Sequence, residues 1–302
     1  MDIKVNQQKV PLPAKLALAV ACFFWAASFI ATKTALDNIP PLTVVTLRMM
    51  ISSLCFLLWL VFRRKKIPYQ GFSWVWRLFL LSIFGTGLHY GIQTIGMQYT
   101  TASNASLYAV TGPISIAILA AFFLGEKITW RKALGIGCAM LGVLIVMGIE
   151  TIMAFELKGR LLGDLLVFAS IFMWGFFTVM GKDMMRQMSA IDLTAVVTFM
   201  GTLYMIPVGG IETFSRSFSL AAIPLEAWVA VAFLGITCSF LATLLYFFAL
   251  ERTESQKVGV YMYTIPPMSY IMAGLVLHET IGINLIIGSL IVLIGVYLTE
   301  KG

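Results

Sequence analysis

The chain has 302 residues, 60% of them hydrophobic and 12% charged, with a mean hydropathy of +0.92 and a formal net charge of +7. Soluble globular domains carry about 25% charged and about 45–50% apolar residues, so a water-solvated fold is excluded and a membrane is the natural solvent. The positive charge does not indicate nucleic acid, because Lys and Arg sit in short connectors between apolar runs and form no basic stripe.

A helix rises about 1.5 Å per residue, so a hydrocarbon layer about 30 Å thick takes about 20 apolar residues. Ten runs approach this length, at 15–36, 42–62, 75–97, 102–124, 133–149, 161–181, 193–212, 227–250, 258–277 and 281–298. None alternates as barrel strands of about 10 residues would. The first run follows a polar, basic leader and reads as a retained helix rather than a cleaved signal. It carries Trp25 near its middle and Lys33 near its end. Belt tryptophans sit at span ends, so a central Trp either lines a pathway or packs in the core. The second run holds Arg48 several residues inside, read as structural, snorkelling outward or bonding carbonyls. In the third, His89 and Gln93 are one turn apart, and a histidine inside a span is a functional candidate by default.

The fourth run places Asn104, Tyr108 and Thr111 on one helical face at i, i+4, i+7, leading to Pro113 and Glu126. Gly135 and Gly142 in the fifth share a face suited to close helix packing. The sixth repeats the pattern of the first with Trp174 and Lys182. Thr243 and Tyr246 in the eighth match the depth of His89. Around the ninth, Lys257, Tyr261 and Thr264 repeat the spacing of Asn104, Tyr108 and Thr111. A polar face within lipid must look at other helices or at a wet cavity. Interhelical hydrogen bonding, worth only about 0.6 kcal/mol per pair, is the plainer alternative.

An internal repeat organises these runs. Pro113, Glu126, Gly135 and Gly142 recur as Pro266, Glu279, Gly288 and Gly295, each 153 positions later. Trp25 and Lys33 recur as Trp174 and Lys182, 149 positions later. The expected fold is therefore all-α and membrane-integral: ten transmembrane helices as two inverted five-helix repeats, 1–149 and 150–302, around a central cavity. Basic residues favour one side of the expected connectors by roughly four to one, which puts both termini in the cytoplasm.

The ten-run plan, Trp25, Lys33 and Arg48, the stretch from Tyr99-Thr100-Thr101-Ala102 through Pro113 to Glu126, and the paired glycines resemble the EamA-type branch of the drug/metabolite transporter superfamily. The resemblance implies a carrier whose cavity is lined by helices one, three, four, six, eight and nine. Members move amino acids, other metabolites and toxic compounds, so it leaves the substrate open.

The functional expectation is a secondary transporter of small polar or amphipathic metabolites, with amino acid export across the inner membrane as the leading class. Sugar-nucleotide or lipid-linked carriers and a non-transporting scaffold stand as alternatives. The expected substrate site comprises Trp25, His89, Gln93, Asn104, Tyr108, Thr111, Trp174, Thr243, Tyr246, Lys257, Tyr261 and Thr264, with Lys257 meeting a carboxylate. Expected partners are a small-molecule substrate and membrane lipids, with protons a candidate coupling ion. No catalytic residues, cofactor or metal are expected. The sequence has no phosphate-cradling G-x-x-x-x-G-K-[ST] and no H-E-x-x-H, and its four cysteines form no C-x-x-C pair.

Overall fold

The structure is a computed structural model that describes residues 10–63, 69–99, 111–153, 161–216, 218–277 and 283–302. All regular structure among these residues is helical. The helices are α1 (Leu12–Leu36), α2 (Pro41–Arg63), α3 (Phe72–Gly85), α4 (Gly87–Tyr99), α5 (Gly112–Leu124), α6 (Trp130–Met153), α7 (Leu161–Met184) and α8 (Ala190–Ser215). Then come α9 (Leu225–Phe233), a π-helical stretch (Leu234–Ala242), α10 (Thr243–Leu250), α11 (Ser255–Gly259), a 3-10 stretch (Val260–Thr264), α12 (Ile265–Leu277) and α13 (Ile283–Lys301). Among the described residues seven helical segments are long and apolar enough to cross a membrane, and the shorter Gly112–Leu124 is also apolar. The chain is thus a multi-pass membrane protein.

Lipid supplies no hydrogen-bonding partner, so each interruption of a spanning helix must be satisfied by protein. The span Phe72–Tyr99 breaks at Thr86, whose backbone lies at φ −131°, ψ −94°. Tyr204 closes the break: its hydroxyl donates to the Ser82 carbonyl at 2.9 Å and accepts from the Leu88 N–H at 3.2 Å. The π-helical stretch is handled similarly. The Cys238 carbonyl accepts from Trp25 Nε1 at 3.3 Å and from Thr243 Oγ1 at 3.2 Å.

The largest apolar core joins the starts of α1, α3 and α8 to the ends of α7 and α10, through Ala14, Leu18, Leu78, Leu193, Phe247 and Leu250. These ends lie together at the face of the bundle that holds the described chain ends, here called the terminal face.

Glycines bring α6 and α13 into close antiparallel contact. A Cβ added at Gly142 would lie 2.7 Å from the Gly288 carbonyl oxygen and the Val292 nitrogen, and one at Gly135 would lie 2.7 Å from the Gly295 carbonyl oxygen. The contact is reciprocal, since Gly288 is the repeat mate of Gly135 and Gly295 that of Gly142. Between them Cys138 Sγ approaches the carbonyl of Ile291, its own mate 153 positions on, at 3.7 Å. Backbone cannot yield as a flexible side chain can. Gly142→Ala is expected to destabilise the protein by about 1–3 kcal/mol through overpacking. Gly137→Ala, where an added Cβ meets nothing within 4 Å, should not lower the melting temperature in detergent and gains helix propensity instead. Equal melting of the two variants would contradict this packing.

Candidate functional site

The break at Thr86 starts α4 anew, and its face His89, Gln93, Met97 turns inward at i, i+4, i+8. On α1 the matching inward stripe is Trp25, Ser28, Phe29 and Thr32. Together with Arg48 of α2, Tyr90, Ile171 and Trp174 of α7, Met262 and Ile265, these side chains line a cavity of about 100 Å3. Trp25 is 13 residues from the start of α1, about 20 Å along the helix, so the cavity begins near mid-span and extends away from the terminal face.

Its base is aromatic. Trp25 and Trp174, repeat mates in the sequence, meet edge to face at 5.2 Å with their planes at 86°. Tyr246 lies beneath both, at 5.2 Å from Trp25 and 5.6 Å from Trp174, and is fully buried. Each such ring pair contributes about 0.5–1.5 kcal/mol beyond area burial, so the cluster is a firm floor. Trp25 is held further by its bond to the Cys238 carbonyl. Trp174 Nε1 has no hydrogen-bond acceptor among the described residues.

The polar wall is His89, Gln93 and Arg48. His89 Nδ1 lies 2.8 Å from the Ser170 carbonyl. A carbonyl only accepts, so Nδ1 carries the proton and Nε2 is left for another partner. Arg48 is 4% exposed. Its Nε donates to Ser239 Oγ at 2.9 Å, and its Cζ lies 4.1 Å from the Tyr90 ring centroid. A cation placed centrally in a helix costs about 2.5–3.5 kcal/mol to insert, and a desolvated cation–π contact returns about 2. No carboxylate pairs with Arg48 among the described residues, and none of them lines the cavity.

The terminal face is closed by charge as well as by packing. Gly125, at φ +67°, ends α5 in the left-handed conformation and turns the chain so that Glu126 reaches α11. Glu126 accepts from the backbone N–H of Ser255 at 2.8 Å and of Gln256 at 3.3 Å, and from Lys182 Nζ at 3.0 Å. Lys182 also donates to the Thr253 carbonyl at 2.6 Å. Lys132 pairs with Glu254, while Lys15 and the Tyr261 hydroxyl both donate to Glu300.

The structure brings Trp25, His89, Gln93 and Trp174 together around the cavity, with Tyr246 supporting the floor. Thr243 does not reach it and instead bonds the Cys238 carbonyl. Lys257 is buried near Glu254, Lys132, Glu300 and Glu126 at the terminal face, away from the cavity lining. Tyr261 turns to Glu300, and Thr264 Oγ1 bonds the Tyr261 carbonyl at 2.7 Å. Thr111 stands at the N-cap position of α5 and does not line the cavity. Asn104 and Tyr108 lie outside the described residues. Arg48 and Tyr90 are lining residues that the sequence reading did not select. The second spanning helix thus joins the lining through Arg48, while the π-helical stretch of the eighth stands behind Trp25.

Burial pushes the Glu126 carboxyl up, but Lys182 and the Ser255 N–H outweigh it and hold the group below the ordinary carboxylate value of 4.5. The folded state therefore favours the ionised form. Its contribution is complete above the ordinary value and is lost as pH falls through the lowered one. Glu126→Gln should cost roughly 2 kcal/mol at neutral pH and flatten the acid limb of melting temperature against pH. An unchanged acid limb would show that this cluster does not hold the face closed.

Comparison with known proteins agrees with the architecture. The model of the EamA-like transporter family matches twice, over residues 12–148 and 161–300. An uncharacterized transporter of Archaeoglobus fulgidus is 31% identical over 284 residues, covering 94% of this chain and 96% of that protein. The uncharacterized transporter YoaV of Bacillus subtilis is 26% identical over 288 residues, covering 94% and 95%. A solved crystal structure shares the fold, with a TM-score of 0.77 at 19% identity over 95% of this chain and 96% of that one.

Proposed function

Because the chain belongs to the EamA-like transporter family, we propose that it is a secondary transporter moving small polar or amphipathic metabolites, with amino acids as the leading class, by alternating access. One observation carries the reading: a cavity with polar and aromatic walls begins at mid-span and is sealed toward the terminal face by apolar packing and ion pairs. A carrier closed at one face and hollow at its centre is in one of the two states that alternation requires.

The full plan proposed is ten spans in two inverted halves, 1–149 and 150–302. Two contacts between repeat mates support it. Trp25 meets Trp174, and Cys138 meets Ile291, in each case between antiparallel helices. A residue touches its own mate only near a two-fold axis, and antiparallel mates place that axis in the membrane plane. Lys15, Lys132, Lys182, Arg252 and Lys257 crowd the terminal face. Their bias supports cytoplasmic termini and residence in an inner, plasma-type membrane.

Trp25, His89, Gln93 and Trp174 form the core of the proposed substrate site. Trp174→Ala removes ring contacts to Trp25, His89, Phe177 and Tyr246. It should reduce counterflow of a labelled amino acid panel in proteoliposomes by about tenfold or more, equivalent to about 1.4 kcal/mol. Unchanged counterflow by a folded Trp174→Ala protein would reject the site. Absence of counterflow for every amino acid in the wild type would reject the substrate class.

A further inference from the structure

Among the described residues, the cavity lining has one cationic side chain, Arg48, and no anionic one. Arg48 has five N–H donors, and Ser239 takes only the one on Nε. The remaining four, on the two terminal nitrogens, form a planar fork that has no hydrogen-bond acceptor among the described residues. Tyr90 supports the face of the guanidinium and Ser239 fixes its edge, so the fork is held in one plane beside the cavity. A buried cation kept without a counter-ion is costly, and a ligand carboxylate would supply the missing charge and accept two parallel bonds. Of the other lining residues, Trp25, Phe29, Met97, Ile171, Trp174 and Met262 are apolar or aromatic, and they stand beside the neutral polar Ser28, Thr32, His89 and Gln93.

We propose that Arg48 is the substrate anchor and that the site selects organic monocarboxylates with an apolar or aromatic body, excluding cationic amphiphiles. This deepens the transport reading and rests on it. It also gives Arg48 the carboxylate-binding role that the sequence suggested for Lys257.

Three ligands with one aromatic body separate the chemistry: L-phenylalanine carries carboxylate and ammonium, 3-phenylpropionate carboxylate alone, and 2-phenylethylamine ammonium alone. Binding to the purified protein is read by displacement or quenching of tryptophan emission, since Trp25 and Trp174 form the cavity floor. Both carboxylates should bind the wild type, and the amine should bind at least tenfold more weakly. Tighter binding of L-phenylalanine than of 3-phenylpropionate identifies amino acids as the source of the carboxylate; the reverse identifies simple organic acids. Arg48→Gln should weaken both carboxylates tenfold or more. Arg48→Lys, which keeps the charge but loses the fork, should also weaken them, and it decides the matter if the Gln variant fails to fold. Equal binding of amine and carboxylate, no binding of either carboxylate, or undiminished affinity in a folded Arg48 variant would overturn the proposal. Counterflow in the same preparation keeps the two readings apart. Amino acid transport with Arg48-independent binding removes the anchor alone. Arg48-dependent binding without counterflow removes the transport reading alone.

Discussion

Lipid offers no hydrogen-bond donor, acceptor or counter-ion, and the interior of this protein is arranged around that constraint. Two departures from a continuous helix are each met by a side chain from another span. Tyr204 closes the gap at Thr86, and Trp25 with Thr243 donates to the Cys238 carbonyl within the π-helical stretch. These repairs also aim the cavity residues. The gap starts α4 on the register that brings His89 and Gln93 inward, and the bond to Cys238 fixes the indole that forms the floor. π-helical insertions cost regular hydrogen bonding and recur at functional sites, consistent with one standing directly behind the cavity.

The cavity and the closed face share structural elements. Trp174 is in the floor, and Lys182, eight residues further along the same helix, bonds Glu126 and the Thr253 carbonyl. Eight residues are about 12 Å of rigid helix. Met262 lines the cavity while its neighbour Tyr261 bonds Glu300. On the proposed reading, release of the ion pairs and movement of the cavity walls are one event, because the same helices carry both. On the same reading the α6–α13 pair, locked by facing glycines and absent from the cavity lining among the described residues, is the fixed frame.

Much of this was legible in the sequence wherever the signal was local and the helix regular. Trp25 and Trp174 stood out because a tryptophan at mid-span does not belong to an interfacial belt, and Gly135 and Gly142 because their spacing fits a packing face. Lys257, Tyr261 and Thr264 were grouped by the 3.6-residue period, but Val260–Thr264 is a 3-10 turn with about 3 residues per turn. The turn rotates Tyr261 toward Glu300, and Met262 and Ile265 face the cavity instead. Arg48 reads from the sequence as structural, snorkelling outward or bonding carbonyls, because nothing near it in sequence suggests otherwise. Its hydrogen-bond partner, Ser239, is 191 positions away, and its aromatic partner, Tyr90, is on a different span. Pairing between distant spans leaves no periodic trace.

The central claim is that the interior site is reached from one face at a time. Thiol labelling tests it most directly, with Thr32→Cys introduced into a protein whose four native cysteines, Cys22, Cys55, Cys138 and Cys238, are replaced. Thr32 lines the cavity on the side away from the terminal face. A membrane-impermeant maleimide should modify it from the face opposite the termini and leave it untouched from the terminal face. Disrupting the Lys182–Glu126 pair should shift reactivity toward the terminal face. Equal labelling from both faces of the intact protein, or labelling from the terminal face alone, would contradict a cavity closed at the end where the ion pairs lie.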